Sequence, residues 1–146
     1  MWNSNNRYYQ KYTYLGVTLD EHLTFLPCID SRALAGSRAF SSIINKYNMY
    51  MNFTYDIYLQ LYNASVAPTL LYGAESLGYI KSKSIMDIQK RALRFFMGVH
   101  KSTPIPAMMG DMGWVDIVIK QSLCMIRYWN RLLEMDNTRL TKRVFL

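Results

Sequence analysis

Ten carboxylates, two histidines and two cysteines are the residues of this 146-residue chain that could support covalent or metal chemistry. Their spacing favours neither. Metal-assisted phosphoryl transfer uses paired carboxylates to hold two Mg²⁺ ions. Asp20, Asp30, Asp56, Asp87, Asp111, Asp116 and Asp136 are scattered, with no Asp-Asp pair. His22 and His100 are isolated, without a nucleophile that the sequence positions beside them. Cys28 and Cys124 lie 96 positions apart, and no Cys/His cluster has zinc-ligand spacing. One disulfide is compatible with that count, but reduced, packed thiols are the expectation. No catalytic residue and no metal ligand is expected.

Binding chemistry is better represented. Lys90, Arg91 and Arg94 share one face of a helical pattern whose other face carries Ile85, Ile88, Ala92, Phe95 and Phe96. Such a face suits sequence-independent contact with phosphates, or is simply a solvated surface. The net charge of +7 is unevenly placed: residues 1–78 carry five basic and five acidic side chains, residues 79–146 twelve and five. That asymmetry suggests a surface facing a polyanion.

The elements positioning these residues read as mainly α: a bundle of five or six helices with a small N-terminal β-hairpin or strand. A hydrophobic content of 51% with 18% charged residues is that of a globular chain, and no apolar run is long enough to span a membrane. The polar start of the chain shows no secretory signal. Residues 12–19 read as strand, with Asp20-Glu21-His22 as the turn and Leu23-Thr24-Phe25 beyond. A helix is expected over roughly 28–46, burying Ile29, Ala33, Gly36, Phe40, Ile43, Ile44 and Tyr47, with Pro27 in its first turn and a connector over 45–52. Thr54 reads as an N-cap, Pro68 as a kink or break, Ser82 or Ser84 as a cap, and Gly98 as a stop. A short helix follows around 106–112, ending at Gly113. A long one over 115–135 runs its apolar stripe through Val118, Ser122, Met125, Trp129 and Leu132/Leu133. A last one spans Thr138 to Val144. Two domains are expected: a β element over 1–25 and a helical domain over 26–146.

Five phrases occur in a telling order. They are Tyr14-Leu15-Gly16-Val17-Thr18-Leu19-Asp20; Pro68 through Leu71-Tyr72-Gly73-Ala74-Glu75; Ile88-Gln89-Lys90-Arg91-Ala92-Leu93-Arg94; Gly110-Asp111-Met112-Gly113; and Trp129-Asn130-Arg131-Leu132. Together they resemble the region C-terminal to the catalytic palm in reverse transcriptases of non-LTR (LINE-type) retrotransposons. Leu77 stands near a position where that family often carries Trp. The resemblance implies that Tyr14, Leu15 and Gly16 form a primer-grip-like hairpin touching the primer backbone. It also implies that Lys90, Arg91 and Arg94 lie on a thumb-like helix contacting template–primer phosphates. The family's Tyr-x-Asp-Asp motif is absent, so the chain is expected to be a fragment without polymerase activity. The Mg²⁺ of the full enzyme would belong to a palm and fingers region preceding Met1.

The partners implied are an RNA/DNA template–primer, bound weakly and non-specifically, and that palm and fingers region, with no membrane. By family analogy the location is nuclear or cytoplasmic. The alternative is a stand-alone helical interaction module or an inactive, degenerate retroelement product. Structural roles are expected elsewhere. Tyr72, Gly73 and Glu75 would serve packing, with Gly73 allowing close helix approach and Glu75 pairing with a buried Arg or capping a helix, and Trp114 and Trp129 would anchor the core. Met108, Met109 and Met112 would fill gaps between helices.

Overall fold

The computed structural model describes residues 11–20, 22, 25–50 and 53–145. It is mainly helical, with a two-stranded antiparallel sheet at the front. Strands β1 (Lys11–Tyr14) and β2 (Val17–Asp20) pair with Tyr14 opposite Val17, so Leu15-Gly16 is a two-residue turn. The turn therefore falls five residues before the expected Asp20-Glu21-His22, because both central residues adopt positive φ, 46° at Leu15 and 77° at Gly16. Of the expected far strand, Leu23 and Thr24 lie outside the described residues, as do Glu21 and residues 1–10.

Helix α1 (Leu26–Tyr50) buries Cys28, Ile29, Ala33, Gly36, Phe40 and Ile43 at the three- and four-residue spacing of one helix face. It continues to Tyr50, through most of the expected connector. Then come α2 (Tyr55–Leu61), a π turn (Tyr62–Val66) and α3 (Ala67–Leu71), forming one continuous helical run. Pro68 does not break this run. The wider π turn immediately precedes it, where a proline ring would otherwise press on the preceding turn. The break comes at Tyr72, which leaves helical geometry, and at Gly73, with φ of 67°. Thr54 occupies the N-cap position of α2 without a capping side-chain bond.

Helix α4 (Ala74–Leu77) is a single turn, and α5 (Lys83–Met97) is capped by Ser82 and stopped by Gly98 in the left-handed region. Helices α6 (Ile105–Asp111), α7 (Ile117–Glu134) and α8 (Leu140–Phe145) complete the fold. With the run from α2 to α3 taken as one, the described residues form seven helical units. The one beyond the expected five or six is the single turn α4.

The core lies between α1, the α2–α3 run and α5. Gly36 makes the α1–α3 approach possible: an added Cβ would overlap Leu70 Cδ2 and sit 3.0 Å from Leu70 Cγ. Gly73 has no such role, since a Cβ there meets nothing within 4 Å; it supplies the positive φ instead. Tyr58 stacks on Phe96 at 4.6 Å, and Tyr62 meets Trp114 at 4.3 Å. Met108 and Met112 are buried, and Cys28 and Cys124 are free thiols. Gln89, inside the α5 apolar face, donates to Val115 O at 2.8 Å and accepts from Ile117 N at 2.9 Å. One buried side chain thus satisfies backbone groups at the start of α7.

Candidate functional site

The hairpin turn stands out from the body of the protein. Tyr14 is 60% exposed and Leu15 73%. Leu15 nevertheless holds a φ that disfavours an L side chain, so the surroundings must impose its conformation. The constraint comes from Tyr72, whose hydroxyl donates to Leu15 O at 2.6 Å. Beside it, an added Cβ on Gly16 would sit 3.4 Å from Tyr72 Cε1, so the turn backbone lies against the tyrosine ring. Arg32 of α1 donates through Nη1 to Tyr72 O. The chain Arg32–Tyr72–Leu15 therefore ties the hairpin to α1 and to the end of α3.

Two shallow clefts flank this tie. One, of about 460 Å³, is bounded by Gly16, Ser31, Arg32, Thr69 and Tyr72. The other, of about 430 Å³, is bounded by Tyr14, Leu15, Phe25, Ser76 and Tyr79 and is mostly apolar. Arg32 is only 6% exposed, and burial lowers its guanidinium from the ordinary value, with a smaller opposing influence from Cys28.

The basic residues of α5 form a separate group. Lys90 is half-buried and pairs with Asp87 at 3.1 Å, which offsets part of its charge. Arg91 places its guanidinium 5.6 Å from the Phe40 ring centroid and reaches Ser37 Oγ at 3.4 Å. Arg94 is half-buried, and its Nε has no acceptor. Arg91 is thus held at the α1–α5 seam by a cation–π contact. This group does not adjoin the hairpin turn on α1. At about 100° per residue, Ser37 stands roughly 200° around α1 from Ala35, which lines the hairpin cleft. Tyr14, Leu15 and Gly16 come together in one turn, while Lys90, Arg91 and Arg94 belong to α5, with Arg91 reaching α1 on another side from the hairpin cleft.

Other expected roles resolve individually. Trp114 is buried, but Trp129 is 47% exposed and is no core anchor. The inward face of α7 is set by Ile117, Gln121 and Leu132: Leu132 is buried as expected, Ile117 and Gln121 replace Val118 and Ser122 one residue round, and Leu133 points outward at 49% exposure. Glu75 is exposed and has no ion pair among the described residues. His100 Nδ1 lies 2.8 Å from Ser102 Oγ in an exposed local turn. Among the described residues, no three His, Cys, Asp or Glu side chains gather as a metal site, and no helix is long and apolar enough to cross a membrane.

Sequence reasoning missed two residues of the site. Arg32 carried a signal, a charged side chain beside the apolar stripe of α1. Tyr72, expected to serve packing, is instead 51% exposed and tethers the turn; that tether carried no signal, because its partner is 57 residues away.

Fold and site together define a small helical domain bearing a β-hairpin clasped at its turn. No known protein family, curated protein or solved structure matches the chain.

Proposed function

We propose that this chain contacts nucleic-acid backbone in the manner implied by its resemblance to the post-palm region of LINE-type reverse transcriptases. The hairpin turn and the basic face of α5 are the contact surfaces. The supporting observation is that two family-like phrases, distant in sequence, meet in space: Tyr72 of the Leu-Tyr-Gly-Ala-Glu phrase holds the backbone of the Tyr-Leu-Gly turn. An exposed turn with a glycine at its tip lets another backbone approach closely. Phosphate contacts from α5 would position a duplex without reading its sequence. In this reading the carboxylates that bind Mg²⁺ belong to a separate palm, and the chain alone does not polymerise.

The test is binding of a short RNA–DNA hybrid by fluorescence anisotropy across a salt series. Affinity should fall steeply with salt, with a slope of roughly 0.9 per phosphate contacted. Replacing Lys90, Arg91 and Arg94 by alanine should lower that slope by about two units. An unchanged slope would remove α5 from the interface.

The α7 surface favours a second reading, that of an interaction module. Ile119, Leu123, Ile126 and Leu133 project outward at helical spacing, opposite the buried face of the same helix. An apolar face of this kind commonly meets another protein. Concentration-dependent sedimentation, abolished by Ile126→Glu, together with absent hybrid binding, would favour it.

A further inference from the structure

We propose that the cleft beneath the hairpin turn binds a single phosphate group, with Arg32 as its charge partner. The proposal rests on the nucleic-acid reading for the source of that phosphate, a backbone diester of the bound duplex.

A buried charge is ordinarily paired, because desolvation without compensation is costly. Arg32 breaks that pattern. It is 94% buried (6% exposed), yet no carboxylate pairs with it among the described residues. Its guanidinium has five N–H donors. One goes to Tyr72 O at the end of α3, where an unpaired carbonyl favours a cation. Nε is sealed from solvent and has no acceptor. The tie to Tyr72 accounts for Arg32's place in the fold but not for its unmatched charge.

The cleft supplies what an anion requires. It measures about 460 Å³, with Arg32 in its wall and no acidic side chain lining it. Exposed Ser31 lines the cleft, and its hydroxyl has no hydrogen bond among the described residues. Gly16 also lines the cleft, with the Tyr72 ring packed against its backbone. The Thr69 hydroxyl also lines the cleft and is turned to Ser65 O at 2.8 Å. A planar guanidinium fork matches phosphate oxygens in charge and geometry.

The experiment follows the Arg32 Nε–H resonance of the ¹⁵N-labelled full chain. Its burial predicts slow exchange with water. Inorganic phosphate is titrated in one series and a short RNA–DNA hybrid in another, at constant ionic strength. Saturable shifts of Arg32 Nε–H and the Ser31 amide with both ligands are expected. Ser31→Glu, an exposed change that sets a negative charge at the cleft mouth, should weaken both by about tenfold. Arg32→Lys, which keeps the charge but loses the fork, should weaken them as well. Hybrid binding with Arg32 and Ser31 unmoved would overturn the site and leave the nucleic-acid reading standing. Phosphate shifts without hybrid binding would support the site, assign it to free phosphate, and count against the nucleic-acid reading. Silence of Arg32 toward both ligands would overturn the site.

Discussion

Leu15→Asn tests whether the hairpin turn is built for contact rather than for stability. A two-residue turn with positive φ at both positions favours Asn-Gly, and here the first position is Leu with φ of 46°. An L side chain in that region is disfavoured by about 1–2 kcal/mol, and asparagine tolerates it better. Against this stands the little that Leu15 buries. At 73% exposure it hides about 50 Å², or at most about 1 kcal/mol at 25 cal/mol/Å², and less when the unfolded chain is compact. The balance is a gain of about 0.5 kcal/mol, or roughly 1–2 °C in Tm. Urea denaturation would measure it, with the Leu15→Ala variant reporting the burial term separately. Anisotropy with the RNA–DNA hybrid would report contact, and weaker binding is expected from the more stable protein. A stability loss above about 0.5 kcal/mol would show that Leu15 is retained for packing. Unchanged affinity would take its side chain out of the interface.

Tyr58 and Tyr62 are both fully buried, but only Tyr58 is satisfied, donating to Ala92 O at 2.7 Å. Tyr58→Phe should therefore cost about 1 kcal/mol, while Tyr62→Phe should be neutral or stabilising, and equal losses in urea would contradict this. Burial raises both phenols above their ordinary value, with Tyr62 adding a smaller push on Tyr58. Their neutral forms thus contribute stability that is complete below about pH 10 and lost as pH rises through the raised folded values. An alkaline titration of the unfolding midpoint should show that decline, blunted in Tyr62→Phe. Gly36→Ala would drive a methyl into fully buried Leu70 and should destabilise by about 1–2 kcal/mol despite alanine's better helix propensity. A rise in midpoint would show that Leu70 moves aside freely.

The helices were legible because their signals are local. Ile29, Ala33, Gly36, Phe40 and Ile43 mark one face of α1, and Ser82 and Gly98 bracket α5. The hairpin was legible, and Gly16 and the family-like phrase pointed to its turn although the strand pattern pointed to Asp20-Glu21-His22; what carried no signature is the leucine at positive φ, held by a residue 57 positions away. The orientation of α7 was ambiguous for a different reason. Both its inner face, with Ile117 and Leu132, and its outer face, with Ile119, Leu123 and Ile126, repeat at helical spacing. Periodicity then identifies a helix without choosing the side that packs. Gly36 and Gly73 look alike in sequence, yet one serves close approach and the other a backbone angle. The basic triad was visible as a cluster. Its attachment to Asp87 and Phe40, which decides how free each charge is, depends on packing.

The bond that fixes the hairpin falls on the carbonyl of Leu15, an atom common to every amino acid. The mount and the fitting are therefore separate. Exchange of the side chain at position 15 alters what the tip presents while the tether from Tyr72 stays in place. Exchange of Tyr72 releases the tip and leaves its chemistry intact. A lineage could retool the tip one substitution at a time without re-solving its placement, and a designer could graft a new contact residue there on the same terms.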